Sequence, residues 1–148
     1  MIIVQQITPA ETRPLRHKVL WPHIPNEVDC VIDIDKRQDA IHLGAIDQGR
    51  IVGICSLFKM DSSRLEHQNQ YRLRAMATHP DWRGRQAGKA IVEKAIEITS
   101  AKGMDVLWCD ARKVALGFYQ RMGFTLIDDW YDVRNIGPHQ TAYYLLKQ

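Results

Sequence analysis

The segment from Pro80 to Ala90 carries the residues best suited to binding a charged ligand. Three cations, Arg83, Arg85 and Lys89, alternate there with two glycines, between an alternating strand pattern and an apolar pattern of helical period. The first turn of a helix offers unpaired N–H groups and the positive end of the helix dipole. Glycines let an anion approach the backbone, and arginines add charge-assisted hydrogen bonds. The pattern predicts a phosphate site at a strand-to-helix turn.

Two common nucleotide-binding motifs do not fit this segment. A P-loop requires G-x-x-x-x-G-K-[ST], but Gly84 and Gly88 are separated by three residues and Ala90 stands where the metal-binding hydroxyl belongs. The dinucleotide fingerprint G-x-G-x-x-G is also absent from the sequence. The sequence therefore predicts neither triphosphate chemistry assisted by magnesium nor a dinucleotide site.

Composition and charge favour one globular domain, which we expect to span residues 1–148. Apolar residues make up 45% of the chain and charged residues 25%, which are ordinary globular values. The formal charge of +3 is small, although cations concentrate between Arg72 and Lys89. Nucleic-acid binding would also call for aromatic residues interleaved with these cations. Only Tyr71 and Trp82 qualify, so nucleic acid is not a predicted partner.

The patterns of cysteine, histidine and apolar residues predict neither a metal site nor a membrane-spanning segment. Cys30, Cys55 and Cys109 have no C-x-x-C spacing and are expected to be buried, reduced thiols. The histidines lack metal-ligand spacing, so no metal is predicted. The chain shows no secretory leader pattern and no apolar run of about 18 residues. We therefore expect a cytoplasmic protein.

The predicted elements alternate strands and helices in the order of a mixed α/β domain. Thr8 is the expected N-cap of the first helix, which Pro14 should interrupt, and Asp110 is the expected N-cap of the last. The connection over 21–37 is irregular, and Asp47-Gln48-Gly49-Arg50 is typical of a hairpin turn. The other expectations are strands over 1–7, 42–46, 51–58, 71–78, 106–109, 124–133 and 141–146, with helices over 86–102 and 111–122.

Two motifs carry a resemblance to a known family. Arg85-Gln86-Ala87-Gly88-Lys89-Ala90 resembles the Q/R-x-x-G-x-G/A signature of the GNAT superfamily of N-acetyltransferases, with Pro80-x-x-Arg83-Gly84 as its lead-in. Ala115-x-x-x-Tyr119-x-x-x-Gly123-Phe124 is similar to the family's A-x-x-x-Y-x-k-x-G-F segment. The two blocks cover about residues 71–124 in the family's order. The chain is identified as a small, single-domain member of bacterial type.

The resemblance implies a fold and a cofactor site. The fold is a mixed, mostly antiparallel central sheet flanked by helices and splayed at the cofactor, where the strands over 71–78 and 106–109 part. Backbone groups of Met76 and Thr78 would pair with the pantetheine arm of acetyl-CoA, and amides from Arg85 to Ala90 would bind its pyrophosphate. The implied cofactor-binding residues are Met76, Ala77, Thr78, Arg83, Gly84, Arg85, Gln86, Ala87, Gly88, Lys89, Ala90, Asp110 and Arg112.

Two of these residues depart from the family pattern. Many members have glycine at the position of Gln86 and asparagine at the position of Arg112. Gln86 still provides its backbone N–H, so we expect it to be tolerated. Arg112 removes any asparagine contact to pantetheine, for which Asp110 is the available substitute.

The resemblance also implies the chemistry. The expected activity is acetyl-CoA-dependent N-acetylation, in which a primary amine of a small molecule or peptide attacks directly in a ternary complex, within a monomer or a homodimer. Tyr119 resembles the family's acid for the leaving thiolate, and His139 is the candidate base. Their alternatives are a tyrosine packed beside Phe118 and an exposed strand histidine.

Two further alternatives stay open at this point. Arg13, Arg16 and His17 either line an acceptor pocket or form a solvated helix face. The main functional alternative is a non-catalytic acyl-CoA sensor, against which Tyr119 argues.

Overall fold

The computed structural model describes residues 1–147, and antiparallel strand pairing dominates it. The elements are β1 (Ile3–Ile7), α1 (Pro9–Leu15), β2 (Ile41–Asp47), β3 (Arg50–Lys59), β4 (Gln70–Thr78), α2 (Ala87–Ala101), β5 (Val106–Arg112), α3 (Leu116–Arg121), β6 (Thr125–Leu126), β7 (Tyr131–Val133) and β8 (Gly137–Leu145). The pairing of β4 with β5 is parallel. The predicted mixed, mostly antiparallel fold is confirmed.

The chain divides by its internal contacts into two units. Unit 1 comprises Met1–Phe58 and Leu73–Ala95, and unit 2 comprises Lys59–Arg72 and the chain from Ile96 onward. Strand β4 and helix α2 contribute residues to both units. The expectation of a single domain over 1–148 stays a prediction.

Unit 1 begins as the sequence predicts. The Thr8 hydroxyl accepts the Glu11 N–H at 3.2 Å, and the Glu11 carboxylate accepts the Thr8 N–H at 3.0 Å, which completes a capping box. Pro14 lies one residue before the end of α1, and the chain continues as a π-helical segment, Arg16–Leu20. Strand β1 then pairs antiparallel with β2, and β2 with β3.

Arg16 anchors the irregular connection between α1 and β2. Its side chain is fully buried and donates to both carboxylate oxygens of Asp35, at 2.7 and 2.9 Å, and to the Ser56 hydroxyl at 2.9 Å. The idea of a solvated helix face is therefore wrong for Arg16. A buried charge is stable only when it is paired and hydrogen-bonded, so this bidentate pair fixes Asp35 and its loop against β3.

Helix α2 packs closely on the strands of unit 1. Ile91 and Val92 are fully buried, and a Cβ atom added at Gly53 of β3 would lie 2.8 Å from the Ile91 Cδ1 atom. A side chain at position 53 would therefore displace the end of the buried Ile91 side chain, and glycine leaves room for it on β3. This packing holds the start of α2, where the phosphate site is predicted.

Unit 2 is built around β8, which pairs antiparallel with β5, β6 and β7. The single strand predicted over 124–133 is wrong. It is two short strands, because the backbone turns between them where Asp129 N–H bonds Ile127 C=O at 2.8 Å. Within the described β4–β5 register, Gln70–Arg72 pair with Val106–Trp108. The splayed cofactor site stays a prediction.

Asp110 does not cap the helix that follows β5. The strand extends to Arg112 because Asp110 pairs with Thr141 and Arg112 with His139 on β8. The chain then makes a 3-10 turn over Lys113–Ala115 before α3 begins. Both the N-cap role of Asp110 and the helix start at 111 were therefore wrong predictions, since pairing with β8 outweighs the local capping signal.

Candidate functional site

The strand-to-helix turn in unit 1 has the backbone that the phosphate prediction requires. Gly84 and Gln86 have φ angles of +79° and +70°, and α2 starts at Ala87. Two residues in the left-handed region turn the chain sharply into the helix. The left-handed conformation at Gln86 also explains why glycine is common there in the family that the motif resembles.

Hydrogen bonding limits which amides of this turn are open. The Arg85 N–H bonds the Trp82 carbonyl at 3.2 Å, and the Ala90 N–H bonds the Gln86 carbonyl at 3.0 Å as the first helical bond. The N–H groups over 86–89 precede that bond and have no partner within residues 1–147. The donor set is thus narrower than predicted, and Arg85 and Ala90 do not contribute free amides.

Exposed cations surround these amides. Arg83, Arg85 and Lys89 are exposed, and none of them forms an ion pair in the described part of the chain. Trp82, by contrast, is 9% exposed and donates its indole N–H to the Asp47 carboxylate at 2.8 Å. The tryptophan is packed, and it ties the turn to the β2–β3 hairpin.

The strand that leads into this turn contains a backbone irregularity. Ala75, in β4, has a φ angle of +52°, which costs an L-residue about 1 kcal/mol or more. A residue in this conformation interrupts the regular ladder and redirects the backbone groups that follow, as in a β-bulge. Met76, Ala77 and Thr78 follow directly, so the predicted pantetheine-pairing residues come immediately after the irregular residue.

In unit 2, alternation along β5 separates the candidate residues onto two faces. Successive strand residues point to opposite faces, so Cys109 lies on one face and Asp110 and Arg112 lie on the other. His139 is paired with Arg112 and therefore shares the face of Asp110. Tyr119 lies on the other face, since its hydroxyl is hydrogen-bonded to the Cys109 thiol.

Asp110 is the centre of a polar cluster. Its carboxylate accepts from Arg72 Nη2 at 2.6 Å and from the Tyr131 hydroxyl. The Tyr131 hydroxyl also lies 3.1 Å from the Thr141 hydroxyl. Burial and the bond to Asp110 raise the pKa of Tyr131 well above its ordinary value. The Asp110 side chain is 24% exposed.

His139 is buried, with 4% exposure, so the alternative of an exposed strand histidine is wrong. Its Nδ1 atom lies 2.8 Å from the Gly137 carbonyl oxygen, which can only accept, so Nδ1 carries a proton. In the neutral ring Nε2 is then the unprotonated nitrogen. The ring stacks on Tyr131 with the centroids 6.2 Å apart. A histidine in this tautomer can accept a proton at Nε2.

Tyr119 packs among aromatic rings. It is 6% exposed, and its ring contacts Phe118 and Phe124 edge to face, with centroids 5.2 and 5.3 Å away. Burial raises the pKa of Cys109 to about 12, although the Tyr119 hydroxyl bond opposes this shift. Cys109 is therefore a neutral thiol at physiological pH, in agreement with the buried, reduced cysteine that the sequence predicts.

The sequence reasoning did not identify Tyr131 and Thr141. Neither residue belongs to a motif, and strand pairing brings both to Asp110 from positions far along the chain. Within residues 1–147, no group of three His, Cys, Asp or Glu side chains is arranged to hold a metal ion. No described helix is both long and apolar enough to cross a membrane.

The comparisons with known proteins establish the family. The sequence model of the acetyltransferase (GNAT) family matches residues 4–124. The uncharacterized N-acetyltransferase YitI of Bacillus subtilis (strain 168) is 30% identical over 147 residues, covering 99% of this chain and 98% of YitI. The chain belongs to the acetyltransferase (GNAT) family. The predicted enzyme class is thereby confirmed, and acetyl-CoA is the acyl donor of this family.

Solved structures agree on the fold. An aminoglycoside 6′-N-acetyltransferase complexed with coenzyme A has a TM-score of 0.79 at 12% identity, with 99% of this chain and 98% of that chain covered. ElaA of Escherichia coli has a TM-score of 0.75 at 18% identity, with 97% and 99% covered. At these identities the likeness shows a shared fold.

Proposed function

We propose that this protein transfers the acetyl group of acetyl-CoA to a primary amine, by direct attack of the amine on the thioester. The observation that carries the proposal is the turn in unit 1, where four open amides over 86–89 adjoin Arg83, Arg85 and Lys89. Aligned N–H donors and unpaired cations favour a diphosphate. In this proposal the backbone of Met76 and Thr78 pairs with the pantetheine arm, as the family resemblance implies.

Asp110 and Arg112 each contribute one group to cofactor binding in this proposal. The Asp110 carboxylate is already bound by Arg72 and Tyr131, so we assign its cofactor contact to the backbone. Arg112 is exposed and has no ion pair in the described chain, which leaves its side chain available to the cofactor. The assignment of Asp110 rests on the family resemblance, and that of Arg112, which departs from the family pattern, rests on its exposure.

We assign Tyr119 and His139 the two proton transfers. At neutral pH an alkylamine with a pKa of about 10.4 is protonated, so it must lose a proton before it attacks. The Nε2 atom of His139 accepts that proton in our scheme. As the C–N bond forms and the C–S bond breaks, the Tyr119 hydroxyl donates a proton to the leaving thiolate. The nitrogen loses its second proton on becoming an amide, and this proton restores the Tyr119 hydroxyl through solvent, while the proton taken up by His139 is released to solvent. Amine and thiolate are different substituents of the reacting carbon, so their proton partners need not lie on one face.

The acceptor is a small-molecule or peptide amine in this proposal, and the protein acts in the cytoplasm. The activity is tested by release of free thiol from acetyl-CoA across a panel of amines, with time courses at several enzyme concentrations. Release that depends on both enzyme and amine supports an enzyme. Tight binding of acetyl-CoA without release for any amine would instead indicate the sensor alternative.

The cofactor site is tested by substituting Gly88→Glu. A carboxylate beside the open amides should weaken acetyl-CoA binding at least tenfold in calorimetric titration, through like-charge repulsion and added bulk. Ser100→Glu is the matched control, because Ser100 is an exposed residue near the other end of α2. Equal affinity of the two variants would overturn the placement of the diphosphate.

A further inference from the structure

Arg50 joins the cationic surface at the phosphate turn from a different element. It is the first residue of β3 and pairs with Asp47 across the hairpin turn. Its guanidinium carbon lies 4.8 Å from the centroid of the Trp82 ring. The hairpin is tied to the turn by the Trp82–Asp47 hydrogen bond. The position of Arg50 is therefore fixed relative to the open amides of unit 1.

Trp82 carries a second guanidinium. The Arg85 guanidinium carbon lies 5.6 Å from the same ring centroid. Both arginines are exposed, and neither forms an ion pair within residues 1–147. Asp47, the acid beside them, has its pKa lowered by the Trp82 hydrogen bond, by the N-terminal amine and by Arg85, although burial opposes the shift. The Asp47 carboxylate therefore already interacts with several donors and cations.

The two guanidinium carbons lie 4.8 and 5.6 Å from one indole centroid, and their combined positive charge beside the turn favours a bound anion. Arginine is the residue that both stacks on aromatic rings and binds phosphate with two parallel hydrogen bonds. A phosphate monoester carries between one and a half and two negative charges at about pH 7. Such a dianion matches the two cations at Trp82 better than a singly charged phosphodiester does.

We propose that Arg50 and Arg85 bind the 3′-phosphate of coenzyme A, and that Trp82 positions both guanidiniums. This inference rests on the proposed use of acetyl-CoA and adds Arg50 as a specificity-determining residue. In the proposed function the amides over 86–89 bind the diphosphate. The phosphomonoester on the ribose is then the group that needs a separate cationic contact. Arg50 thereby selects coenzyme A over its 3′-dephospho form.

The experiment compares acetyl-CoA with acetyl-3′-dephospho-CoA in calorimetric titrations. Wild type should bind the dephospho form about tenfold or more weakly, which corresponds to one charge-assisted contact. Arg50→Gln should weaken acetyl-CoA by a similar factor and leave the dephospho form within about twofold of wild type. Arg37→Gln is the control, since Arg37 is an exposed arginine paired with Asp39 at 2.9 Å.

The outcomes separate this inference from the proposed function. Equal weakening of both ligands in Arg50→Gln, or no weakening of either, would overturn the 3′-phosphate assignment while acetyl-CoA binding by wild type stands. Failure of wild type to bind acetyl-CoA would overturn both. Arg50→Lys keeps the charge without the planar fork, so retention of full discrimination by this variant would overturn the role of stacking on Trp82.

Discussion

Tyr119 and His139 lie on opposite faces of the β5–β8 strand pair. The Tyr119 hydroxyl bonds the Cys109 thiol, whereas His139 pairs with Arg112, three residues further along β5. An odd separation along a strand places two side chains on opposite faces. In the proposed mechanism the two residues serve different proton transfers, so their substitution should affect different steps.

Tyr119→Phe tests the acid. The ring keeps its aromatic contacts, and only the hydroxyl that we assign to the leaving thiolate is lost. We expect kcat to fall by about 10²- to 10⁴-fold, with the dissociation constant of acetyl-CoA within about twofold of wild type. Thiol release and calorimetry measure the two quantities. Tyr144→Phe is the control, because Tyr144 packs on Phe124 in the same aromatic cluster. Comparable turnover in both variants would exclude Tyr119 as the acid.

His139→Asn tests the base. The asparagine amide can replace the Nδ1 donor to Gly137, while the proton-accepting Nε2 is lost. We expect kcat/KM to fall at neutral pH and to recover as the pH approaches the amine pKa of about 10.4, where the acceptor is already neutral. His67→Gln, at an exposed position, is the control. A loss of equal size at every pH would indicate a structural role for His139.

The phosphate turn was predictable from the sequence, and the polar cluster of unit 2 was not. Helix-start donors and glycines act locally, so the residues that predict a phosphate site are contiguous in the segment from Pro80 to Ala90. Tyr131 and Thr141 instead come close to Asp110 through the register of the paired strands, which no local sequence pattern specifies. The same pairing made Asp110 part of a strand where its local sequence favours a helix N-cap. Motif reasoning therefore predicted the strand-to-helix turn and its open amides, while the surroundings of Asp110 required three-dimensional structure.

Gln86→Gly tests whether the turn is strained. Gln86 has a φ angle of +70°, a conformation that costs a residue with a Cβ atom about 1 kcal/mol and glycine nothing. The larger freedom of glycine in the unfolded chain offsets part of this gain. We expect the free energy of unfolding to rise by about 0.5 kcal/mol or slightly more, measured by urea denaturation. Because the amide is retained, acetyl-CoA affinity should stay within about twofold. Gln86→Ala keeps the Cβ atom and should show no gain, so equal stabilisation by both variants would contradict the strain.

Tyr131→Phe tests the cluster at Asp110 through its pH dependence. An unfolded tyrosine ionises near a pKa of about 10, whereas burial and the bond to Asp110 raise the pKa of Tyr131 in the folded protein. Above about pH 10 the unfolded chain therefore loses this proton first, and the free energy of unfolding falls as the pH rises. The substitution should lower stability at neutral pH by about 1 kcal/mol, the value of one hydrogen bond. It should also make the alkaline decline shallower than in wild type.

Urea denaturation between about pH 8 and pH 10.5 measures this decline, with Tyr143→Phe on β8 as the control that leaves the Asp110 bond intact. The difference between the variants isolates the contribution of Tyr131. The slope of stability against pH should change in Tyr131→Phe more than in Tyr143→Phe. Parallel slopes in wild type and Tyr131→Phe would show that the Tyr131 phenol ionises equally in the folded and the unfolded chain. The cluster would then not hold the proton of Tyr131. A selective change would establish that Tyr131 keeps its proton in the folded enzyme, where its hydroxyl donates to Asp110.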